Sequence, residues 1–135
     1  MEDDCRMNII DKFVIEGNPA TKKNSQRLVF VKKLGRSIVL PSETYEKFEK
    51  SAGKFIPAKS TPIDFKVEIS CVYYMATRRA VDLTNLLEAT DDVLVKHKYL
   101  KDDNCKIIVS HDGSRVDYDK DNPRTEVTVK RLEEM

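Results

Sequence analysis

The sequence predicts an α+β protein, a two-layer sandwich in which a mixed β-sheet carries two helices on one face. Residues 63–76, IDFKVEISCVYYMA, alternate apolar and polar side chains with the period of a strand. Residues 83–97 instead repeat apolar side chains at the three-to-four spacing of a helix. Further short β-rich segments occur before and after these two, and a second helical pattern follows Ser42. This order of elements favours one sheet with both helices packed against it.

The N-terminal half predicts three strands and a helix. The segment MNIIDKFVIEG predicts a strand that ends in a GNP turn. QRLVFVKK and RSIVLPS then predict a hairpin around LGR. Ser42 precedes Tyr45, Phe48 and Phe55 at roughly helical spacing, which predicts an N-capped helix to about Ala52, broken at Gly53 and Pro57.

The C-terminal half predicts a central strand, a helix and two closing strands. The period-two alternation over 63–76 is the clearest strand pattern, and we expect this strand in the middle of the sheet. After the helix at 83–97, KIIVSHDGSRVDYD and TEVTVKRLEE predict two strands that pair antiparallel across a DKDNP loop.

Length and composition predict one domain over residues 1–135. The chain has 135 residues, 40% of them apolar and 35% charged, as expected of a globular protein with one core. Apolar runs are far shorter than the roughly 20 residues of a membrane helix, and the N-terminus is acidic where a signal peptide would be basic. Three widely spaced cysteines without a C-x-x-C pair favour neither a disulfide framework nor a zinc site. We therefore expect a cytoplasmic protein.

Charge is strongly separated along the chain. Residues 22–36 contain six lysines and arginines and no acid, whereas residues 82–103 contain six carboxylates against three lysines. A tract without acids is suited to neutralising phosphates. Clustered carboxylates repel one another unless a cation compensates them, which points to a bound metal ion.

The acidic helix predicts a site for a hard divalent cation. Asn85, Glu88 and Asp92 share one helix face, Asp82 precedes the first turn, and a pair of aspartates follows the helix. Oxygen ligands without cysteine or histidine favour Mg²⁺ or Mn²⁺ over zinc. The alternative is a solvated helix face with Asp82 as a simple N-cap, and the residues alone leave it open.

Two motifs resemble the RusA family of Holliday-junction resolvases. RRAVDLTNLLEATDDVLVKHKYLKDDN is similar to the family signature in an arginine-rich approach, a D-x-x-N-L core and aspartates ten and twenty residues further on. IEGNPATKKNSQR is similar to the GNP and KK segment of many phage and prophage members. The resemblance covers most of residues 10–131. The matched signature positions are Asp82, Asn85, Leu86, Asp92, Asp102 and Asp103.

The resemblance implies a RusA-like fold and a homodimeric, Mg²⁺-dependent endonuclease that acts on branched DNA such as four-way junctions. It also implies a bacterial protein encoded by a phage or prophage. The essential aspartates of the family fall on Asp82 and Asp103. Thr84 stands where the family has its second aspartate and Glu88 where it commonly has a lysine, and their four-residue spacing predicts that Glu88 returns the missing carboxylate to the site.

These arguments assign a role to each candidate site residue. Asp82, Asp103 and Glu88 are the catalytic metal ligands, Asp102 is a second ligand or a partner of one, and Asn85 and Asp92 support them. Arg78 and Arg79 lie beside the acids. The other DNA contacts are Lys22, Lys23, Asn24 and Arg27, while Lys32, Lys33 and Arg36 form either a solvated hairpin tip or further contacts.

Two other functions remain open at this point. A protein that binds branched DNA without cleaving it would keep the substrate and lose the reaction. A small interaction domain would instead use the acidic helix and the basic loop to pair with each other or with a protein partner.

Overall fold

The computed structural model describes residues 7–22, 27–40 and 42–132, apart from the side chains of Met7 and Arg27. It has the mixed sheet and two helices that the sequence predicts. The elements are β1 (Met7–Glu16), β2 (Arg27–Val31), β3 (Arg36–Leu40), α1 (Glu43–Ala52), a short 3₁₀ helix (Gly53–Phe55), β4 (Val67–Met75), α2 (Leu83–Lys96), β5 (Ile108–Ser110), β6 (Arg115–Tyr118) and β7 (Arg124–Leu132).

The main sheet has five strands with β4 at its centre. β4 pairs antiparallel with β7 on one side and parallel with β5 and β6 on the other. β1 pairs antiparallel with the far side of β7. β2 and β3 form a separate two-stranded antiparallel sheet, so the predicted hairpin is confirmed.

One face of the main sheet carries the core and both helices. Cys71 lies opposite Val127 and Tyr73 opposite Thr125, and all four residues are buried. The Tyr73 hydroxyl donates to the Leu86 carbonyl of α2 at 3.1 Å. The buried residues of both helices belong to the same hydrophobic core cluster as the buried residues of this sheet face. Both helices therefore pack on this face. The helix residues in this cluster are Tyr45, Phe48 and Ala52 of α1, and Leu86, Ala89, Val93 and Leu94 of α2.

Helix α1 begins and ends as predicted. The Tyr45 backbone N–H donates to Ser42 Oγ at 3.1 Å, which is the bond expected of a serine N-cap. The helix ends at Ala52 and tightens into the 3₁₀ turn before Pro57. Within the described ranges, no helix is long and apolar enough to cross a membrane.

The central strand is shorter than predicted. β4 begins at Val67, four residues after Ile63. The Ile63 N–H donates to the Tyr99 carbonyl, and the Lys101 N–H donates to the Ile63 carbonyl, both at 2.9 Å. Ile63 therefore pairs with the segment after α2 instead of extending β4.

The predicted antiparallel pairing of the two closing segments is wrong. The first segment is two strands, β5 and β6, interrupted by a turn in which Gly113 has φ of +85°. Both strands lie parallel to β4, whereas β7 is inserted between β1 and β4. At the interruption the Cys71 N–H donates to Ser114 Oγ at 3.0 Å, so a side chain replaces a missing ladder bond.

Candidate functional site

Asp82 is the N-cap residue of α2, but its side chain makes no capping hydrogen bond. Asn85 Nδ2 instead donates to Asp82 Oδ2 at 3.3 Å, and the supporting role of Asn85 in a metal site stays a prediction. Asp82 is exposed and has extended backbone angles, with φ −85° and ψ 123°. Its carboxylate is therefore oriented by a neighbour on the same helix and faces solvent.

A cleft of about 480 Å³ opens directly beside this end of α2. Asn18 holds one wall in place, because its Oδ1 accepts a hydrogen bond from the Ala76 N–H at 2.9 Å. The size is in the range of small-ligand sites. The cleft is lined by a cation, several hydroxyls and short apolar side chains, and no carboxylate is among them: Asn18, Pro19, Ala20, Thr21, Ser42, Thr44, Met75, Thr77, Arg79, Ala80 and Val81.

The two predicted arginines are both exposed but differ in their surroundings. Arg79 lines the cleft. The Arg78 guanidinium stacks over the Tyr118 ring, 4.0 Å from its centroid. A stacked guanidinium keeps its in-plane N–H donors available to an anion. Contact of either arginine with DNA stays a prediction.

A second polar centre lies further along α2, where Lys22 meets Asp92. Lys22 Nζ is 2.6 Å from Asp92 Oδ2. The hydrogen bond to Asp92 raises the pKa of Lys22 against the opposing effect of burial, and the charges of Glu49 and Glu88 add to the rise. Lys22, predicted as a phosphate contact, is therefore an ion-pair partner in this structure. Lys23 and Asn24 lie outside the described residues, as does the Arg27 side chain.

The aspartate pair after α2 belongs to this second centre. Asp102 Oδ1 accepts from the Asp103 N–H at 2.7 Å, and Asp102 Oδ2 accepts from Asn104 Nδ2 at 3.1 Å. Burial raises the pKa of Asp103, and so do the hydrogen bond and charge of Asp92 and then those of Asp102. The raised pKa reflects three carboxylates held close together.

Glu88 adds negative charge to the groove between the helices. It is exposed, one turn before Asp92. Burial raises the pKa of Tyr45 in α1, and the charges of Glu49, Asp92 and Glu88 raise it further. The groove between α1 and α2 is therefore acidic, with Lys22 in it.

The structure distributes the predicted ligands between the two ends of α2. Asp102 and Asp103 gather beside Asp92, with Glu88 one turn away. Asp82 lies ten residues before Asp92, which is about 15 Å along a helix axis. Within residues 7–22, 27–40 and 42–132, no group of three or more histidine, cysteine, aspartate or glutamate side chains is arranged to hold a metal ion. A single ion shared by Asp82 and Asp103 stays a prediction.

A half-buried pair, Asp91 and His111, was missed by the sequence arguments. His111 Nε2 lies 3.0 Å from Asp91 Oδ2, and His111 Nδ1 lies 2.8 Å from the Ile69 carbonyl oxygen. Asp91 Oδ1 is buried without a hydrogen-bond partner in the described part of the chain. The two residues are 20 apart in sequence, so no helix or strand spacing signals the contact.

Fold and site together define a small α+β protein with an arginine-containing cleft beside the start of α2, the exposed Asp82 one residue beyond the cleft wall, and an acidic cluster further along the same helix. The family model of endodeoxyribonuclease RusA matches residues 16–130, and the chain belongs to this family. The match confirms the resemblance drawn from the acidic helix and the GNP segment. No match was found among functionally curated proteins.

Proposed function

We propose that the protein is a structure-specific endodeoxyribonuclease that resolves Holliday junctions and related branched DNA by Mg²⁺-dependent phosphodiester hydrolysis. The observation that carries the proposal is the family match over residues 16–130, which spans both ends of the acidic helix and the cleft. The setting we propose with it is the bacterial cytoplasm, with a phage or prophage gene.

The chemistry of the carboxylates fits Mg²⁺, with Mn²⁺ as a substitute. Mg²⁺ usually takes one or two carboxylates together with substrate phosphates and water, so it does not require three protein ligands in one place. Burial raises the pKa of Asp103 and the neighbouring Asp92 and Asp102 raise it further, and a cation would relieve the repulsion among these carboxylates. We assign Asp103, Asp102 and Glu88 towards one end of α2, and Asp82 at the other, as the carboxylates that would hold metal ions, with DNA or a second chain joining the two ends. When bound, the ion acidifies a water and offsets the charge that develops on the phosphate oxygens.

The remaining residues bind and position the DNA. The cleft beside Asp82 has no carboxylate in its lining, so a phosphate can enter it without repulsion from the walls. Arg79 in the wall and Arg78 over Tyr118 offer guanidinium groups to that phosphate. Asn85 orients the Asp82 carboxylate, one residue after Val81 of the cleft wall. Lys22 can exchange its bond to Asp92 for a DNA phosphate, which would also free Asp92.

Cleavage of a synthetic four-way junction tests the reaction. We expect cleavage with Mg²⁺ and none with EDTA, and Asp82→Asn and Asp103→Asn should each stop cleavage while binding is retained. Asp64→Asn is the matched control, because Asp64 is also an exposed aspartate but lies just before β4. Wild-type activity in Asp82→Asn, or equal loss in Asp64→Asn, would contradict the assigned roles.

A branched-DNA-binding protein without nuclease activity is the second candidate. It is favoured by Thr84, which replaces a family carboxylate and is exposed on the first turn of α2. The same assay separates the two, because this candidate binds the junction and leaves it uncut in both Mg²⁺ and Mn²⁺.

We also propose a homodimer, because a four-way junction is two-fold symmetric and two equivalent sites can cut paired strands. Sedimentation equilibrium of the free protein and of its junction complex measures this directly. A monomer in both states would refute it.

A further inference from the structure

The hairpin of β2 and β3 is not part of the main sheet. Its two strands pair only with each other within the described residues, and neither joins the five-stranded sheet. A lone two-stranded hairpin is marginally stable in water unless something packs against it. The exposed side of this hairpin therefore calls for an explanation.

One face of the hairpin is apolar and exposed. Leu28 is directly opposite Val39 in the ladder, and Phe30 lies two residues along β2 on the same face. Leu28 is 71% exposed, Phe30 62% and Val39 61%. Leu34 in the connecting turn is 53% exposed. Half of the large exposed apolar side chains of the described chain are on this one element.

Every charged residue in the sequence of the hairpin, residues 27–40, is basic. Lys32, Lys33 and Arg36 are exposed at the tip of the hairpin. No aspartate or glutamate occurs between Gly17 and Ser42 in the sequence. An identical hairpin from a second copy would offer cations and no carboxylate to complement them, which disfavours self-association through this face. A polyanionic ligand that also exposes apolar surface would match both the cations and the apolar face of the hairpin.

The hairpin also emerges from the edge of the cleft. Thr21, before β2, and Ser42, after β3, both line the cleft, whose wall includes Val81, one residue before Asp82. A ligand that occupies the cleft and extends outward can therefore meet the hairpin.

We propose that the hairpin of β2 and β3 recognises the branch point of DNA: Leu28, Phe30 and Val39 pack against unstacked bases, and the cations at the tip contact adjacent phosphates. Apolar and aromatic side chains bind base faces most readily where stacking is already interrupted, as at a branch, because in an intact duplex they must first unstack the bases. Phosphate contacts are equally available on linear duplex. The hairpin therefore supplies selectivity for branched over linear DNA. This inference rests on the proposed substrate class but not on cleavage.

The experiment measures dissociation constants for a four-way junction and for a linear duplex of the same sequence, without Mg²⁺, at two salt concentrations. We expect Leu28→Ser combined with Phe30→Ser to weaken junction binding by roughly 5- to 150-fold, from the usual effect of removing one stacked base contact. Duplex binding should stay within about twofold, since phosphate contacts are retained. Ile9→Ser is the control, because Ile9 is also exposed at 55% but lies on β1. It should change neither constant.

Two further variants keep the test decisive. Val39→Ser removes part of the same apolar face from β3 and should also weaken junction binding more than duplex binding. It replaces the double variant in the test if the double variant does not fold. Lys32→Ala with Lys33→Ala should weaken junction and duplex binding alike and reduce the salt dependence of both.

Equal losses for junction and duplex in the apolar variants, or no loss at all, would overturn the proposal. A fall in sedimentation mass in those variants would also overturn it, because it would show that the face covers a second copy. If the wild-type protein binds the junction but does not cut it, the proposed nuclease activity is refuted. The ratio of junction to duplex binding in the variants still tests the proposed role of the hairpin. Wild-type protein that binds neither DNA refutes both.

Discussion

Replacing His111 with alanine should destabilise the protein in a pH-dependent way. Both ring nitrogens of His111 face acceptors, the Ile69 carbonyl oxygen and Asp91 Oδ2. When the imidazole is doubly protonated, both nitrogens donate, and the contact is then between an imidazolium and a carboxylate. The side chains of His111 and Asp91 are only 23% and 13% exposed.

The magnitude follows from what the missing ring leaves behind. Asp91 Oδ1 is already unpaired among the described residues, and His111→Ala takes away the partner of Oδ2. Breaking a fully buried ion pair by removing one partner costs about 3–5 kcal/mol. Because both side chains keep some contact with water, we expect the free energy of unfolding to fall by roughly 2–4 kcal/mol. Chemical denaturation at pH 6 measures this fall.

The pH dependence has a definite sign. Burial disfavours the imidazolium, but the hydrogen bond and charge of Asp91, with the Ile69 carbonyl and Glu68, outweigh it and raise the pKa of His111. A group with a raised folded-state pKa stabilises fully below its unfolded value of about 6.5. That contribution is lost as pH rises through the folded pKa. The wild-type free energy of unfolding should therefore fall above about pH 6.5, and the His111→Ala protein should lack this fall.

Two further proteins test the reasoning behind this expectation. His97→Ala removes the other histidine of the chain and leaves the Asp91 pair intact, so its stability should keep the wild-type pH slope. Asp91→Asn combined with His111→Ala leaves no lone buried charge and should be more stable than His111→Ala alone. A double variant at least as unstable as the single one, or a single variant within about 0.5 kcal/mol of wild type, would refute the argument.

Three other substitutions have equally specific outcomes. Tyr73→Phe removes a fully buried hydroxyl 2.7 Å from Thr90 Oγ1, so urea denaturation should show a loss of about 1–2 kcal/mol, with coupling to Thr90→Val. Gly53→Ala would place a Cβ 2.7 Å from the His97 ring, so it should lower stability by about 1–3 kcal/mol, and His97→Ala should relieve the loss. Lys22→Ala should change the free energy of unfolding by less than about 1 kcal/mol, because the ion pair of Lys22 is partly exposed. DNA-binding titrations of this variant at several salt concentrations should show a salt slope that is about 0.9 smaller than that of the wild type.

Local patterns predicted the helices and most strands well, because their information lies within a few residues. Ser42 signals the start of α1, and the period of 83–97 gives α2 within one residue at its end. The prediction for the closing strands failed because the first closing segment contains a turn signal. The sequence HDGS around Gly113 breaks the segment, and Ser114 then bonds to β4 through its side chain. Which strand lies beside which depends on such contacts across the fold.

The candidate site shows the same division between local and long-range information. Helical spacing is sufficient to place Asp82 just before α2 and Asp92 on it, but it says nothing about where the chain returns after the helix. Lys98, at φ +62°, turns the chain out of α2, and the buried Tyr99 then donates its hydroxyl to Asp11 Oδ2 on β1 at 2.6 Å. This contact joins residues 88 apart and fixes the loop just before Asp103. Beyond this loop Asp103 interacts with Asp92, and Asp82 lies about 15 Å before Asp92 along the helix axis, so DNA or a second chain would have to connect the two ends of α2 for them to act as one site.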